Sequence, residues 1–487
     1  MATYPDWVLR HRTKGTAIHH ISGHYYLYEV ASEWDKAKKK SVRKTLRSLG
    51  RITPEGLQPR VRRKSADEQM IARLDKICSK EYGITHFISR HLVDYIAQLK
   101  HFFPDHWEVL ICVAYCRLVF QSSLRQMPFH IGHSYLSEQY PHVALTDKKI
   151  SLALRDIGRD RAVVEHFMRK DIGEGEHILL DMTHIPSKSE HIDLAQPGYN
   201  SEWNFESQFN LLYIYALQTQ MPAFYRLLSG NIREVKAMSL TLKQSGVKNC
   251  TLIADKGFHS KANVEELMTE QLSFIIPLRR DNQLIRYDLA KEDQLKTESR
   301  YFQHEKRYIW HTQYQIPEQD LCVYLFLDEN LKNKEQSDYL NRLDIKQKGY
   351  SIEKFHLKKR EFGTIALLTN LKDKTPAEIY TAYKSRMNVE NVFDAFKTVL
   401  DADKTYMQNE EVLQGWMFAN HIALQWYYRL WQQLQKANQL SKYSVKDLIQ
   451  HLQEIKIIKI DDKWHQAEII KRSKTLLDKI SLPLHIV

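Results

Sequence analysis

The amino-acid sequence predicts an α/β protein whose central element is a mixed β-sheet. Apolar stretches with strand character run from EHILLDMTHI, at residue 176, to LSFIIPLRR, at residue 272. The helical segments NIREVKAMSLTLKQSG and SKANVEELMTEQ separate the third strand from the fourth and the fourth from the fifth. An order of three strands, helix, strand, helix and strand requires both hairpins and crossover connections, as in a mixed sheet.

Further regions are predicted on both sides of this sheet. Near the N-terminus, GHYYLYEVAS and VRKTLRSLGRI flank the turn EWDKAKKK, which predicts a β-hairpin. The predicted organisation is a basic β-hairpin module (1–65), a helical region (66–172), the first part of the α/β core (173–280), a β-rich insertion (281–360), the second part of the core (361–430) and a C-terminal helical region (431–487).

The charge of the chain predicts a polyanionic partner. The net charge is +12 and the pI is near 9.1. Residues 36–51 hold eight basic residues and no acid, beside a strand rich in tyrosine. The candidate DNA contacts in this stretch are Lys38, Lys39, Lys40, Arg43, Lys44 and Arg47. A solvated basic loop with no partner is the alternative.

Several classes of protein are disfavoured by the sequence. The apolar run VLICVAYC is far too short to cross a bilayer, and the first residues lack the apolar core of a signal peptide. The five cysteines form no CxxC pair, which argues against a disulfide framework or a zinc ribbon. We therefore expect a protein of the reducing cytoplasm that does not bind a membrane.

Acidic residues at strand ends predict a metal site. Asp181 closes the first strand of the predicted sheet, and Asp255 follows the fourth. A third carboxylate, Glu390, lies on a later helix whose apolar side has to pack on that sheet. Three carboxylates without histidine or cysteine favour Mg²⁺ or Mn²⁺ over zinc. Two such ions about 4 Å apart can promote an in-line displacement at phosphorus.

The helix that carries Glu390 has an unusual charged stripe. A capping box at TPAE starts it, and at 100° per residue Tyr383, Arg386 and Lys397 all lie within about 60° of Glu390. Arg386 can bind a phosphate with two hydrogen bonds, and Lys397 supplies a point charge. The alternative is a structural i,i+4 pair of Arg386 with Glu390.

The spacing Tyr-x2-Arg-x3-Glu-x6-Lys, matched by Tyr383, Arg386, Glu390 and Lys397, resembles the signature of the family-four insertion-sequence transposases. LLDMTHI and LIADKGF resemble the two aspartate motifs of that family, in the right order. The resemblance covers about residues 175–430. It implies that residues 173–280 and 361–430 form a ribonuclease-H-like catalytic domain, interrupted by the β-rich insertion. Residues 1–65 would then be a DNA-binding module, and residues 66–172 a DNA-binding or connecting region.

The resemblance also implies a function. Asp181, Asp255 and Glu390 would form the Asp-Asp-Glu triad and bind two Mg²⁺ ions, for which Mn²⁺ can substitute. Arg386, Lys397 and Tyr383 would hold the DNA backbone. The enzyme would nick transposon ends and join the freed 3′ hydroxyl to target DNA, as a homodimer on paired inverted repeats at the bacterial nucleoid. Some relatives excise through a DNA hairpin.

Trp310 is the only tryptophan between Asp255 and Glu390. Relatives use a tryptophan of the insertion to stack on a flipped base, which makes Trp310 a candidate DNA contact; a core role is the alternative. Two other functions stay open for the chain: a transposase-derived DNA-binding protein that no longer cuts, and a metal-dependent nuclease without strand transfer.

Overall fold

The computed structural model describes most of the chain, in ranges separated by short gaps. These ranges are 4–36, 39–60, 77–173, 175–198, 206–232, 238, 241–242, 244–290, 295–296, 300–317, 319–403, 405–460 and 462–484. The predicted helix at 231–246 lies largely outside these ranges. The predicted DNA contact Lys38 lies wholly outside them. The chain divides into two units, Met1–Cys78 with Lys459–Lys463, and Ser79–Ile458 with Trp464–Val487.

The N-terminal unit contains the predicted β-hairpin as part of a four-stranded antiparallel sheet. Its strands follow one another in space as β1 (Thr16–Ile21), β2 (His24–Asp35), β3 (Lys40–Thr53) and β4 (Gly56–Pro59). A short helix, Asp6–Leu9, contributes Val8 to a small core with Ile18, Leu27 and Ile52. The three strand residues place their apolar side chains on one face of the sheet, and this face is therefore the buried one.

The next region is helical, as predicted. Its helices are Gly83–His91, Val93–Phe102, Trp107–Phe120, Met127–Gly132, Leu136–Gln139, Asp147–Arg159 and Arg161–Arg169. The prediction of helix through CSKE was wrong, because Cys78–Glu81 is a strand, β5. Backbone pairing overrides local propensity there: the N–H of Glu81 donates to the carbonyl of His133.

Glu81 is a buried carboxylate in this helical region. It accepts hydrogen bonds from the backbone N–H of Ile84 and from the hydroxyls of Thr85, Tyr115 and Ser134. Burial raises its pKa to about 7, although these donors lower it. The carboxyl therefore titrates near neutral pH while it holds the start of helix Gly83–His91.

Within the described residues, the large sheet of the second unit has ten strands. In chain order these are β6 (His177–Pro186), β7 (Gln196–Pro197), β8 (Ser207–Ala216), β9 (Met221–Ser229), β10 (Thr251–Ala254), β11 (Ser273–Pro277), β12 (Tyr301–His304), β13 (Arg307–Gln315), β14 (Cys322–Asp328) and β15 (Thr364–Thr369). Their spatial order is β12-β13-β14-β15-β11-β10-β6-β8-β7, with β9 also paired to β8.

The central strands confirm the predicted fold class. β6 pairs antiparallel with β8, β8 pairs antiparallel with β9, and β10 lies parallel to both β6 and β11. The path β9-β8-β6-β10-β11 thus places the first strand centrally, with the antiparallel strands on one side and the parallel strands on the other. This is the mixed-sheet order of a ribonuclease-H-like fold. The crossover from β10 to β11 contains helix Lys261–Thr269, capped by Ser260 as predicted.

The insertion extends the same sheet. β15 pairs antiparallel with β11, and β14, β13 and β12 follow it outward. Helices Glu329–Asp344 and Ile352–Lys358 connect β14 to β15. The sequence predicted a strand-rich insertion with one helical stretch, but it did not predict that these strands continue the central sheet.

The C-terminal region is organised by helix Glu410–Lys436. Trp416, Trp426 and Tyr428 of this helix are buried. These aromatic side chains therefore belong to the core. Helices Val445–Gln453 and Lys471–Lys479 follow, and the strands β16 (Lys456–Ile460) and β17 (Lys463–Gln466) form a three-stranded sheet with β5.

One property of the helices bears on membranes. Within the described ranges, no single helix combines the length and apolar composition needed to span a bilayer. Trp107–Phe120 and Leu124–Gly132 meet the criterion only as a pair, and they are bent by 102° relative to each other.

Candidate active site

Asp181 and Asp255 leave two neighbouring parallel strands side by side. In the pairing of β6 with β10, Ala254 lies opposite Leu180, and the next residues along the strands are Asp255 and Asp181. β6 continues beyond this point, paired with β8, as far as Pro186. Asp181 therefore marks the end of the parallel pairing. The prediction that it closes its strand was wrong, because pairing with β8 continues the strand to Pro186.

Glu390 approaches from helix Met387–Asp394, which packs on β6 and β8. The ring of Phe393 on this helix lies 6.2 Å from that of Tyr213, edge-to-face. Tyr213 is directly opposite Asp181 in the pairing of β6 with β8, so the two side chains share a face of the sheet. The apolar side of the helix therefore covers the sheet face that carries Asp181.

Arg386 contacts all three carboxylates. Its Nη2 lies 2.6 Å from Oε1 of Glu390, and its Nη1 lies 3.6 Å from Oδ1 of Asp255 and 3.8 Å from Oδ2 of Asp181. Oδ1 of Asp255 and Oδ2 of Asp181 both lie close to Nη1 of Arg386. The distance between these two oxygens is therefore at most the sum of their distances to that nitrogen. The i,i+4 pair considered in the sequence is thus present, as one part of a larger cluster.

The charge of Arg386 is stabilised within this cluster. Burial disfavours the guanidinium cation, but the carboxylates of Asp255 and Asp181 outweigh that effect, and the pKa of Arg386 is raised. Its side chain is only 21% exposed, so solvent screens these interactions weakly. The three acids and one base form a single electrostatic unit.

Tyr383 lies beside this unit. Burial raises the pKa of its hydroxyl; Arg386 lowers it, and Asp255 and Glu390 raise it further. Lys397 is half-buried and lies in a π turn, Ala395–Val399, that follows the helix of Glu390. Tyr383, Arg386 and Glu390 are therefore brought together, whereas Lys397 follows two turns later along the chain.

The signature does not lie on one continuous helix, and that prediction was wrong. Helix Pro376–Lys384 ends at Ser385, a second helix starts at Met387, and the π turn follows. The predicted capping box at the start of the first helix is confirmed. The Thr375 hydroxyl accepts a hydrogen bond from the N–H of Glu378, and the Glu378 carboxylate accepts one from the N–H of Thr375. The charged stripe was predicted by assuming a rotation of 100° per residue along one helix. That rotation does not hold across the break between the two helices or in the π turn.

Arg117 is a further buried side chain near the end of the Glu390 helix, and it was not among the predicted site residues. This buried side chain donates to the backbone carbonyls of Leu400 and Asp401, just beyond the π turn, and its Nε donates to Oδ1 of Asn420. Burial lowers its pKa to about 10. The signal in the sequence was Arg117 itself, a single cation directly after the run VLICVAYC, in a helix that otherwise has the composition of a core helix.

Trp310 lies on β13 of the insertion. Its ring is half-buried, 5.3 Å from that of Tyr301 on β12, and Tyr308 on the same strand is exposed. The β12 strand is in contact with the helix of Tyr383, since the rings of His304 and Tyr380 are 5.2 Å apart. Trp310 is therefore part of an aromatic patch on the outer strands of the sheet.

The basic residues predicted near the N-terminus lie on the hairpin of β2 and β3. Lys39 is in the turn, and Lys40, Arg43, Lys44 and Arg47 follow along β3. Lys44 pairs with Glu33 at 3.1 Å, and Arg47 pairs with Glu29 at 2.5 Å. Cross-strand acids thus neutralise part of this charge.

The donor set fits a hard divalent cation. Its ligand atoms are carboxylate oxygens, the type that Mg²⁺ and Mn²⁺ prefer. Among the described residues, no three acidic, histidine or cysteine side chains are already grouped at metal-binding distances. The guanidinium of Arg386 lies among the three carboxylates and holds them around a positive charge, which is the charge that a bound cation supplies.

The sheet has the strand order of a ribonuclease-H-like fold, with Asp181 and Asp255 where the parallel pairing of β6 and β10 ends and Glu390 on the helix that covers it. Residues 172–426 match the transposase DDE domain family, and this match spans more than half of the chain. The protein belongs to that family.

Among solved structures, the cryo-EM structure of a piggyBac transposase synaptic complex with hairpin DNA is similar, with 13% sequence identity and a TM-score of 0.38 over 78% of this chain and 76% of that chain. No curated protein matches the sequence.

Proposed function

We propose that this protein is the DNA transposase of an insertion sequence. The observation that carries the proposal is the convergence of Asp181, Asp255 and Glu390 on Arg386 within the DDE domain. The enzyme cuts the ends of its element and joins the freed 3′ hydroxyl to target DNA. Its partners are the terminal inverted repeats and the target duplex, and it acts as a homodimer on paired ends at the bacterial nucleoid.

Asp181, Asp255 and Glu390 are proposed to bind two Mg²⁺ ions, with Mn²⁺ as a substitute. When bound, such ions activate an attacking oxygen and stabilise a leaving oxygen at phosphorus. The protein's part is to hold the three carboxylates at one edge of the sheet. Two of them come from rigid strands, and the third comes from a helix fixed by its apolar face.

Arg386 exchanges partners when DNA binds. In the free protein it neutralises the carboxylates, and in the complex its planar guanidinium turns to the phosphate next to the scissile bond. Lys397 adds a second cation along the same DNA strand, and the hydroxyl proton of Tyr383 forms a hydrogen bond to a phosphate oxygen. The raised pKa of Tyr383 keeps that proton in place at neutral pH.

The two chemical steps are balanced without an outside source of energy. In the first, a water oxygen attacks phosphorus and the bond to the 3′ oxygen breaks, which leaves a 3′ hydroxyl and a 5′ phosphate. In the second, that hydroxyl attacks a target phosphodiester, so one phosphorus–oxygen bond forms as another breaks. The residues that hold the phosphate serve both steps.

The test uses DNA carrying the two inverted repeats of the element together with a supercoiled target plasmid. We expect nicking and joined products with Mg²⁺ or Mn²⁺, and loss of both in Asp181→Asn, Asp255→Asn and Glu390→Gln while end binding is retained. Full activity of these variants would overturn the proposal. Nicking without joined product identifies a nuclease, and end binding without nicking identifies a non-cutting DNA-binding protein.

A further inference from the structure

The hairpin of β2 and β3 projects beyond its own sheet. β1 pairs with β2 only as far as Glu29, and β4 pairs with β3 only from Gly50 to Thr53, within the described part of the chain. Beyond these limits, Val30–Asp35 pairs with Lys40–Thr45. We call these two segments the ribbon. At about 3.3 Å per residue it is about 20 Å long, and it has too few residues on either face to form a core of its own.

The two faces of the ribbon differ in charge. Directly opposed residues of antiparallel strands share a face. Ala31 with Lys44, Glu33 with Val42 and Asp35 with Lys40 therefore form one face, which we call the Lys44 face. Both acidic residues of the ribbon are on it, and its Lys44 is paired with Glu33 at 3.1 Å. Most of the charge on this face is internally compensated.

The opposite face is formed by Val30 with Thr45, Ser32 with Arg43, and Trp34 with Ser41; we call it the Trp34 face. Arg43 is its single charged residue and is exposed. The side chain of Trp34 is 63% exposed, which is unusual for so large an apolar group. An exposed tryptophan beside a cation with no acid on its own face indicates a surface that binds a partner.

The charge of the strand identifies the partner as a polyanion. β3 carries Lys40, Arg43, Lys44, Arg47 and Arg51 and no acidic residue. The major groove of B-DNA is wide enough to admit a two-stranded ribbon, and there an arginine can donate two hydrogen bonds to guanine. A tryptophan on the same face would meet thymine methyl groups and the sugar edges.

We propose that the ribbon enters the major groove of duplex DNA with its Trp34 face toward the bases. Arg43 then contacts a guanine of the transposon end, and Trp34 packs against the adjoining bases. Lys40 and Lys44, on the other face, contribute general attraction to phosphates. This inference deepens the proposed function, on which it rests for the identity of the duplex, by assigning the residues that recognise its sequence.

The test compares Arg43→Gln with Lys44→Gln in the full-length protein. Each variant removes one charge, from opposite faces of the same ribbon. Affinity is measured by fluorescence anisotropy for a duplex carrying the inverted repeat and for a scrambled duplex of equal length. We expect Arg43→Gln to weaken binding to the inverted repeat by about 10- to 100-fold with little change for the scrambled duplex. Lys44→Gln should weaken both modestly and equally.

A second readout locates the contact on the DNA. Methylation of a guanine N7 that Arg43 contacts should interfere with binding of the wild-type protein and not with that of Arg43→Gln. Trp34→Ala should weaken the same complex. Equal effects of Arg43→Gln and Lys44→Gln on both duplexes would overturn the proposal. So would a loss of self-association in Trp34→Ala with unchanged DNA affinity, since the ribbon edges would then bind a second copy of the chain.

These outcomes are separable from those of the proposed function. A protein that recognises its ends through Arg43 and never nicks them supports this inference and contradicts the enzymatic proposal. If the Arg43→Gln variant nicks and joins DNA with unchanged specificity, the enzymatic proposal is supported and this inference is contradicted.

Discussion

Arg386 and Glu390 lie one helical turn apart, with Nη2 and Oε1 separated by 2.6 Å, and the same guanidinium also reaches Asp181 and Asp255. The charge of the proposed metal ligands in the free protein is therefore already offset in part by a side chain of the protein itself. This arrangement reduces the mutual repulsion of the three carboxylates. It also means that a cation and Arg386 compete for the same oxygens.

The first prediction follows from that competition. Arg386→Gln leaves three acids without a base, so we expect the metal-free protein to lose about 1–2 kcal/mol of its free energy of unfolding. Mg²⁺ should restore more stability to the variant than to the wild type, and should bind the variant more tightly. Thermal unfolding with and without Mg²⁺, together with calorimetric titration, measures both effects.

A matched control for this experiment is Lys384→Gln. Lys384 lies two residues away, and its charged neighbours are Arg307, Asp328 and Glu305 rather than the three acids. It should leave the Mg²⁺ affinity unchanged. A weaker Mg²⁺ affinity in Arg386→Gln would show that Arg386 supports the cation site instead of competing with it.

The parts of this site that sequence could predict are local. Asp181 follows an apolar run within β6, Asp255 follows the apolar strand β10, and the capping box of Thr375 and Glu378 is encoded within four residues. The break at Ser385 was not predictable in the same way, because the apolar spacing continues through it. The role of Arg117 depends on backbone carbonyls 283 and 284 positions away, which no local pattern reveals. The pairing of β15 with β11 also joins segments that are far apart in the sequence, so no local pattern predicts it.

A second prediction concerns the crossing of helices Asp147–Arg159 and Glu410–Lys436. A Cβ added at Gly415 would lie 1.9 Å from the carbonyl oxygen of Leu154, and one at Gly158 would lie 1.8 Å from that of Glu411. These are backbone atoms that cannot rotate away. Gly415→Ala should therefore lower the free energy of unfolding by about 3 kcal/mol. Gly132→Ala, whose Cβ would have no atom within 4 Å, should change it little.

Urea unfolding of the two alanine variants measures this difference. An equal stability of Gly415→Ala and Gly132→Ala would contradict the close approach of the two helices.

The third prediction uses the buried carboxyl of Glu81. Its pKa is about 7 in the folded protein and 4.5 when unperturbed, so its protonated form favours folding. That contribution is fully present below pH 4.5 and is lost as the pH rises toward 7. At about 1.4 kcal/mol per pKa unit, the difference between 4.5 and 7 amounts to about 3.5 kcal/mol.

The measurement is the free energy of unfolding at pH 5 and pH 8 for the wild type and Glu81→Gln. Relative to the variant, the wild type should be more stable at pH 5 than at pH 8. Glu138→Gln, in the same region but partly exposed, is the control and should show the wild-type pH dependence. The same pH dependence in Glu81→Gln would assign the titration to another group.

The last prediction concerns the way Arg117 positions Glu390. Arg117 donates to the carbonyls of Leu400 and Asp401, which follow the π turn at the end of the Glu390 helix, and its guanidinium stacks 4.7 Å from the ring centre of Trp416. Arg117→Met removes the donors and leaves these buried carbonyls unsatisfied, at a cost of about 3 kcal/mol. Arg117→Lys keeps the charge but cannot reproduce the planar fork, so it should destabilise less.

A merely structural role and a positioning role differ in their kinetics. If Arg117 positions the catalytic helix, then Arg117→Lys, assayed well below its unfolding temperature, should lower kcat for nicking about 10-fold and leave the Kd for transposon ends unchanged. Loosening of the π turn also displaces Glu390 from the other two carboxylates, so more Mg²⁺ should be needed for half-maximal nicking. A variant with reduced stability but wild-type kcat and Mg²⁺ dependence would show that Arg117 stabilises the fold without orienting the site.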